Sequence, residues 1–235
     1  MFVKRAAVQT VAVLSNYKTL RSNKKVASKV DLDNIALRDL LEAVSDIYKI
    51  STDINDYMFI VQRALTANVP NKNMDAFEDA ELVDLKDDGR FTYETFIGVP
   101  LLREHRDTEI DKAGGVVVGA YFDDEDENDR PVITLGALDT KKWSDVAYLL
   151  KRGSRIGFSM GCVVERTVCS VCGNEARTEA QFCEHIRQKL GAWYGKAWEW
   201  CRGVWYKELS YVKQPADERA LLYGVCSIDG VCNEL

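Results

Sequence analysis

The spacing of apolar positions changes several times along this chain. In "DLDNIALRDLLEAVSDIYKI", Leu37, Leu40, Leu41, Val44 and Ile47 recur every three or four residues, which predicts a helix with Asp31 or Asp33 as its cap. The run "DYMFIVQRAL" that follows is short, apolar and rich in large side chains, the pattern of a buried strand. Pro70–Glu81, "PNKNMDAFEDAE", is polar and predicts a loop.

From Tyr93 onward the pattern is that of short strands. "TYETFIGVPLL", "GGVVVGAYF" and "VITLGAL" are separated by turn residues, and the acidic "DDEDENDRP" between the last two reads as a solvated hairpin connection. "DTKKWSDVAYLLKRG" is helical, with Trp143, Val146, Ala147 and Leu150 on one face and Gly153 as its stop. "RIGFSMGCVVE" and "VWYKELSYV" are further strands. Many strands and few helices, without βαβ alternation or an internal repeat, predict an α+β or mixed β-barrel architecture and argue against a dinucleotide-binding fold.

Composition narrows the function classes. The 235 residues suffice for one domain with its own core, and 46% hydrophobic with 29% charged residues is ordinary for a globular protein. A net charge of -6 argues against a dedicated nucleic-acid binder. Residues 1–30 depart from this average: they hold no Asp or Glu but carry Lys4, Arg5, Lys18, Arg21, Lys24, Lys25 and Lys29, and are expected to form a flexible basic arm. "AAVQTVAVL" is interrupted by Gln and Thr, so a signal peptide is not expected, and no run has the ~18 apolar residues of a membrane helix. Seven cysteines, four of them between Cys162 and Cys183, do not form the pattern of a secreted disulfide framework, so a reducing, cytoplasmic setting is expected.

Cys169-x2-Cys172 followed by Gly173 is the spacing of a zinc knuckle, in which a tight turn aims two thiolates at one point. With Cys183 and His185 it completes a four-donor set expected to hold a structural zinc ion, rather than four free buried groups. Thr178 and Gln181 have the spacing of a capping box, which would start a helix carrying both Cys183 and His185. Positions two apart on a helix point ~200° from each other. Either that helix is irregular, with His185 as fourth ligand, or Cys201 supplies the fourth ligand instead.

Three further residues suit nucleophilic chemistry. Ser159 lies between Gly157 and Gly161, which strip bulk from its face of the strand and suit either substrate access or close sheet packing. His105, one of only two histidines, follows a strand where a loop would expose it. Glu208 alternates with Tyr206 and Ser210 on its strand, with Leu209 and Tyr211 facing the other way. A carboxylate directed inward needs a partner, and an imidazole serves.

Taken in order, "FIGVPLLREH", "GFSMG" and "ELSYVKQPADERA" resemble the prohead (capsid maturation) serine proteases of tailed phages, whose fold is similar to the β-barrel assemblins of herpesviruses. "PNKNMDAFEDAEL" resembles that family's loop before the histidine strand, and "VCSVCGN…FCEH" a zinc-binding insertion of one branch. The resemblance spans roughly Tyr57 to Val225 and leaves the first 50 residues uncovered. It implies an assemblin-like barrel ringed by a few helices at 31–235, a zinc-binding insertion at about 166–190, Ser159 as nucleophile, His105 as general base and Glu208 as orienting acid. It further implies scaffolding protein, the major capsid protein and the chain itself as substrates inside an assembling prohead in the host cytoplasm, and it allows a homodimer. A catalytically inactive capsid-assembly component with the same fold is the alternative. A zinc-dependent hydrolase is disfavoured, because the four soft donors form a closed set.

Overall fold

A computed structural model describes residues 12–13, 28–29, 31–32, 34–154, 156–187, 197–227 and 231–234. The chain opens with β1 (Ala12–Val13), β2 (Ser28–Lys29), β3 (Asp31–Leu32) and the helix α1 (Asn34–Tyr48). There follow β4 (Tyr57–Thr66), β5 (Asp75–Ala76), α2 (Asp79–Leu82), β6 (Leu101–Arg103), β7 (Gly115–Phe122), β8 (Pro131–Asp139) and α3 (Ser144–Lys151). The last part holds β9 (Gly157–Val163), β10 (Arg166–Cys169), β11 (Glu175–Ala176), α4 (Glu184–Arg187), β12 (Glu199–Arg202), β13 (Trp205–Val212), β14 (Leu222–Cys226) and β15 (Val231–Glu234). The class is α+β, mostly sheet. Among the described residues no helix is long and apolar enough to cross a membrane.

The largest sheet has the order β2-β15-β14-β4-β8-β7. Both of its faces are covered, which is why β4 is buried along its whole length. Tyr57, Phe59 and Val61 of β4 pack with Leu37, Leu41 and Val44 of α1, while Met58, Ile60 and Ala64 face a second core. That second core holds Leu101 of β6, Leu209 of β13, Phe158 of β9 and Val146 and Leu150 of α3. The first three residues come from a three-stranded sheet, β6-β13-β9, in which β6 and β13 run parallel and β13 and β9 antiparallel.

The two sheets meet at two seams, one at the edge strand β7 and one at the start of β14. At one seam the Gly98 and Val117 N–H groups donate to Val117 O and Val99 O, at 2.8 and 2.9 Å, and Pro100 bridges Val116. At the other the Phe158 N–H donates to Ala220 O at 2.8 Å, and Gly157 bridges Leu221. These are single bridges rather than strand ladders. Among the described residues no continuous set of strands closes a barrel.

Several expectations change in detail. Asp31 lies in β3, and Asp33, the other candidate cap, lies outside the described residues. "TYETFIGVPLL" is not one strand: Thr92–Phe96 forms a 3-10 turn, with the Phe91 N–H donating to Glu94 Oε2 at 2.8 Å, and only Leu101–Arg103 is extended. The polar stretch 70–81 contains β5 and the start of α2. The basic arm at 1–30 is described only at β1, which pairs with β3, and β2, which edges the large sheet beside β15; the rest of it lies outside the described residues. Cys226 and Cys232 are joined by a disulfide across the β14–β15 pair, a bond not expected from the cysteine pattern. Their strands place these two residues directly opposite each other, a proximity that cysteine counting does not reveal.

Phe59 is fully buried between α1 and the sheet. Phe59→Ala is expected to lower the unfolding free energy by about 3–5 kcal/mol, read from urea denaturation.

Candidate active site and metal centre

Strand β13 is the centre of the candidate active site. On its β9 side Ser210 pairs with Ser159 and Glu208 with Gly161; on its β6 side Ser210 pairs with Leu102. A bulge between Tyr206 and Glu208 breaks the alternation read from the sequence. It turns Tyr206 into the core, stacked on Phe96 with ring centroids 3.6 Å apart, on the same side as Leu209. Tyr206 therefore does not share a face with Glu208, while Ser210 does.

His105 lies two residues beyond β6. Glu104 and His105 both adopt left-handed backbone, with φ of 50° and 56°. The Glu104 N–H donates to Tyr211 O at 3.0 Å, which folds the chain back over β13. His105 Nδ1 then lies 2.7 Å from Glu208 Oε1. Glu208 is 3% exposed, and the glycine opposite it explains how the carboxylate fits: a Cβ at Gly161 would fall 2.4 Å from Oε1. The hydrogen bond that the His105 ring donates to Glu208 is the main influence that holds His105 above its ordinary pKa of 6.5; burial opposes it, and the charges of Glu208, Glu104 and Asp107 add to it.

Ser159 is 8% exposed and opens, together with His105, onto one cleft of about 410 Å³. No hydrogen bond joins the Ser159 hydroxyl to the His105 ring. The sheet order gives the reason: His105 reaches over from β6, β13 intervenes, and the first groups the ring meets belong to β13. Across the cleft stand Asn71, Asn73 and Asp75. Burial, with the neighbouring Glu199 charge and against the hydrogen bond from Asn71, pushes Asp75 up to about 6. Cys162 and Cys201 also line the cleft. Burial first, and then the Asp75 and Glu208 charges, raise Cys162 to about 12; burial likewise raises Cys201. Both remain protonated thiols at neutral pH.

The four expected metal ligands do come together. One donor atom from each of Cys169, Cys172, Cys183 and His185 lies within 4.8 Å of all the others. Ligands at about 2.3 Å on a tetrahedral ion stand about 3.8 Å apart, so the donors need little movement to close on one ion. The first pair sits on a tight turn at the end of β10, where the Gly173 N–H donates to Cys169 O at 3.0 Å and Gly173 has φ of +70°. The Val171 N–H points to Cys169 Sγ at 3.4 Å, the contact expected to support a thiolate.

The second pair is arranged differently from the sequence expectation. Thr178 caps nothing with its side chain; Gln181 Oε1 instead accepts from the Arg177 N–H at 2.7 Å, and a 3-10 turn ends at Gln181. Helix α4 starts only at Glu184, so Cys183 precedes it and is not on the helix surface. Its carbonyl accepts from the Ile186 and Arg187 N–H groups, and its Sγ lies 3.7 Å from His185 Nδ1. The ~200° separation of helical neighbours thus does not apply. Burial disfavours the Cys183 thiolate, but the Ile186 N–H, His185 and the other two thiols more than offset this and bring the thiol down to about 7. Cys201, the alternative ligand, is buried on β12 and lies outside the cluster. None of the four donors lines the cleft.

Comparisons with family models, with curated proteins and with solved structures return no match for this chain.

Two outcomes are expected of these sites. Elemental analysis of purified protein should find about one tightly held metal ion per chain, retained in Cys201→Ala and lost in Cys172→Ser. Gly161→Ala should push Glu208 away from His105, read as loss of the far-downfield proton resonance of the Nδ1–H···O bond.

Proposed function

We propose that this chain is a serine endopeptidase of virus capsid maturation, with Ser159 as nucleophile, His105 as general base and Glu208 as the acid that orients it. One observation carries the reading: His105 and Glu208, 103 residues apart in sequence, meet at 2.7 Å beside a cleft that also reaches Ser159. The order of the three motifs supports it, as does the near-closed arrangement of β14, β4, β8, β7, β6, β13 and β9 around one core, which is what an assemblin-like barrel requires.

In this reading His105 Nε2 takes the proton of Ser159 as its oxygen bonds to a peptide carbonyl carbon. Glu208 holds the proton on Nδ1 and stabilises the imidazolium that forms. Collapse of the tetrahedral intermediate breaks the C–N bond, and His105 returns the proton to the departing amine. Water, deprotonated by the same ring, then hydrolyses the acyl-enzyme. The ring closes onto Ser159 when substrate fills the cleft, as catalytic hydrogen bonds often tighten only in the complex. The substrates are scaffolding protein, the major capsid protein and the chain itself, within the assembling prohead in the host cytoplasm. The Cys169, Cys172, Cys183, His185 set holds zinc; four protein donors leave no open position, so the ion supports the fold and takes no step in hydrolysis.

The absence of a Ser159–His105 hydrogen bond favours one alternative, an inactive capsid-assembly component with the same fold. Cleavage assays decide between the two. Ser159→Ala should keep the fold and reduce peptide cleavage by about 10⁴-fold or more, His105→Ala nearly as much, and Glu208→Gln less. Unchanged cleavage by Ser159→Ala, or none by the parent protein on capsid-assembly substrates, removes the protease reading.

The pH profile follows from the direction of the His105 shift. The base acts only when neutral, so kcat/KM should rise with pH through a midpoint above 6.5. Glu208→Gln removes the charge that holds the proton, and its midpoint should move down toward 6.5.

A further inference from the structure

Ser210 is fully buried, and its hydroxyl is bonded to both members of the His105–Glu208 pair. Its Oγ donates to Glu208 Oε2 at 2.5 Å and accepts from the His105 backbone N–H at 3.2 Å. Glu208 Oε1 in turn meets His105 Nδ1 at 2.7 Å, so hydroxyl, carboxylate, ring and backbone form one closed circuit. A hydroxyl has a single proton, and an ionised carboxylate is acceptor-only. The proton is therefore committed to Glu208, and a lone pair is left for the His105 N–H. Each carboxylate oxygen then has its own donor, which fixes the plane of the group and aims Oε1 at the ring.

The second observation is in the backbone. Glu104 and His105 are consecutive left-handed residues with side chains, a conformation that persists only where surrounding contacts hold it. The bond from the His105 N–H to Ser210 is one of those contacts. Ser210 also sits at the register point where β13 faces Ser159 on one side and Leu102 on the other. It is thus placed between the strand of the candidate nucleophile and the strand that leads to the candidate base.

We propose that Ser210 is a positioning residue that sets the orientation of the His105 ring through both its backbone and its carboxylate partner. Its consequence for catalysis rests on the peptidase reading; its effect on the ring does not. Without the hydroxyl, Glu208 turns, the contact at Nδ1 loosens and the ring no longer keeps one orientation. A hydroxyl that only satisfied its own burial would leave the ring unaffected.

The test is NMR titration of the full-length, metal-loaded protein. With two histidines in the chain, one of them a metal ligand, the titrating ring signal belongs to His105. Ser210→Ala is expected to move the His105 midpoint down toward 6.5, because the contribution of Glu208 weakens while those of Glu104 and Asp107 persist. Its kcat/KM should fall by about 10- to 100-fold, in keeping with a small misplacement of a catalytic group. Since Ser210→Ala risks a packing defect, Ser210→Thr and Ser210→Val form a matched pair that differs only in the hydroxyl. Thr should titrate like the parent protein and Val like Ala. Equal midpoints for Thr and Val overturn the proposal, as does a Ser210→Ala variant with an unchanged midpoint. A parent protein without peptidase activity sinks the protease reading, while the titration still decides the role of Ser210.

Discussion

The pairing of β13 with β6 on one side and β9 on the other is the constraint on which the candidate site depends. Three sequence-distant segments are brought together by these two ladders, one parallel and one antiparallel. Because β13 carries a bulge at Lys207, Tyr206 and Leu209 both face the core while Glu208 and Ser210 face His105. The bulge thus separates packing from polar chemistry within eight residues of strand. The packing side is apolar enough to fix the register, and a slip by one residue would bury Glu208 without a partner. Gly161 is the other half of the same constraint, since only a residue without Cβ leaves Oε1 room beside the imidazole.

The Cys169, Cys172, Cys183, His185 cluster and the cleft are separate sites joined through one small sheet. Strand β10 ends at Cys169, its neighbour β12 bears Cys201, and Thr167 and Cys201 line the cleft. Strand β5, which pairs with β12, supplies Asp75 to the same cleft. The sheet order β11-β10-β12-β5 therefore runs from the cysteine loop to the cleft wall. The cysteine loop thus adjoins the strand whose Thr167 lines the cleft, while none of its four donors reaches the cleft itself.

Much of this was legible in the sequence, for physical reasons that differ from element to element. Helix α1 and strands β4, β7 and β8 announce themselves because burial on one face, or on two, imposes its own period. The Cys-x2-Cys turn is equally direct, because its geometry is local. Where a particular side-chain or strand contact decides, the pattern fails. Thr92–Phe96 has strand-like composition, yet its Glu94 side chain reaches back to the Phe91 N–H and tightens the segment into a turn. The face of Tyr206 could not be read, since a bulge shifts alternation without changing composition. The spacing of Thr178 and Gln181 suggested a helix through Cys183, but the Gln181 side chain is occupied by the Arg177 N–H. The Cys226–Cys232 disulfide depends on a strand pairing that spacing alone does not show. Ser210 was visible as part of a motif, but its role required knowing which groups surround its hydroxyl.

The central claim is that Ser159 is a nucleophile activated by His105. Labelling the folded, metal-loaded protein with a serine-directed fluorophosphonate, followed by mass mapping of the modified peptide, tests it most directly. The account predicts one adduct per chain, located on Ser159, and its loss in His105→Ala. An adduct found only on other residues, or no adduct on Ser159 in folded protein, would contradict it.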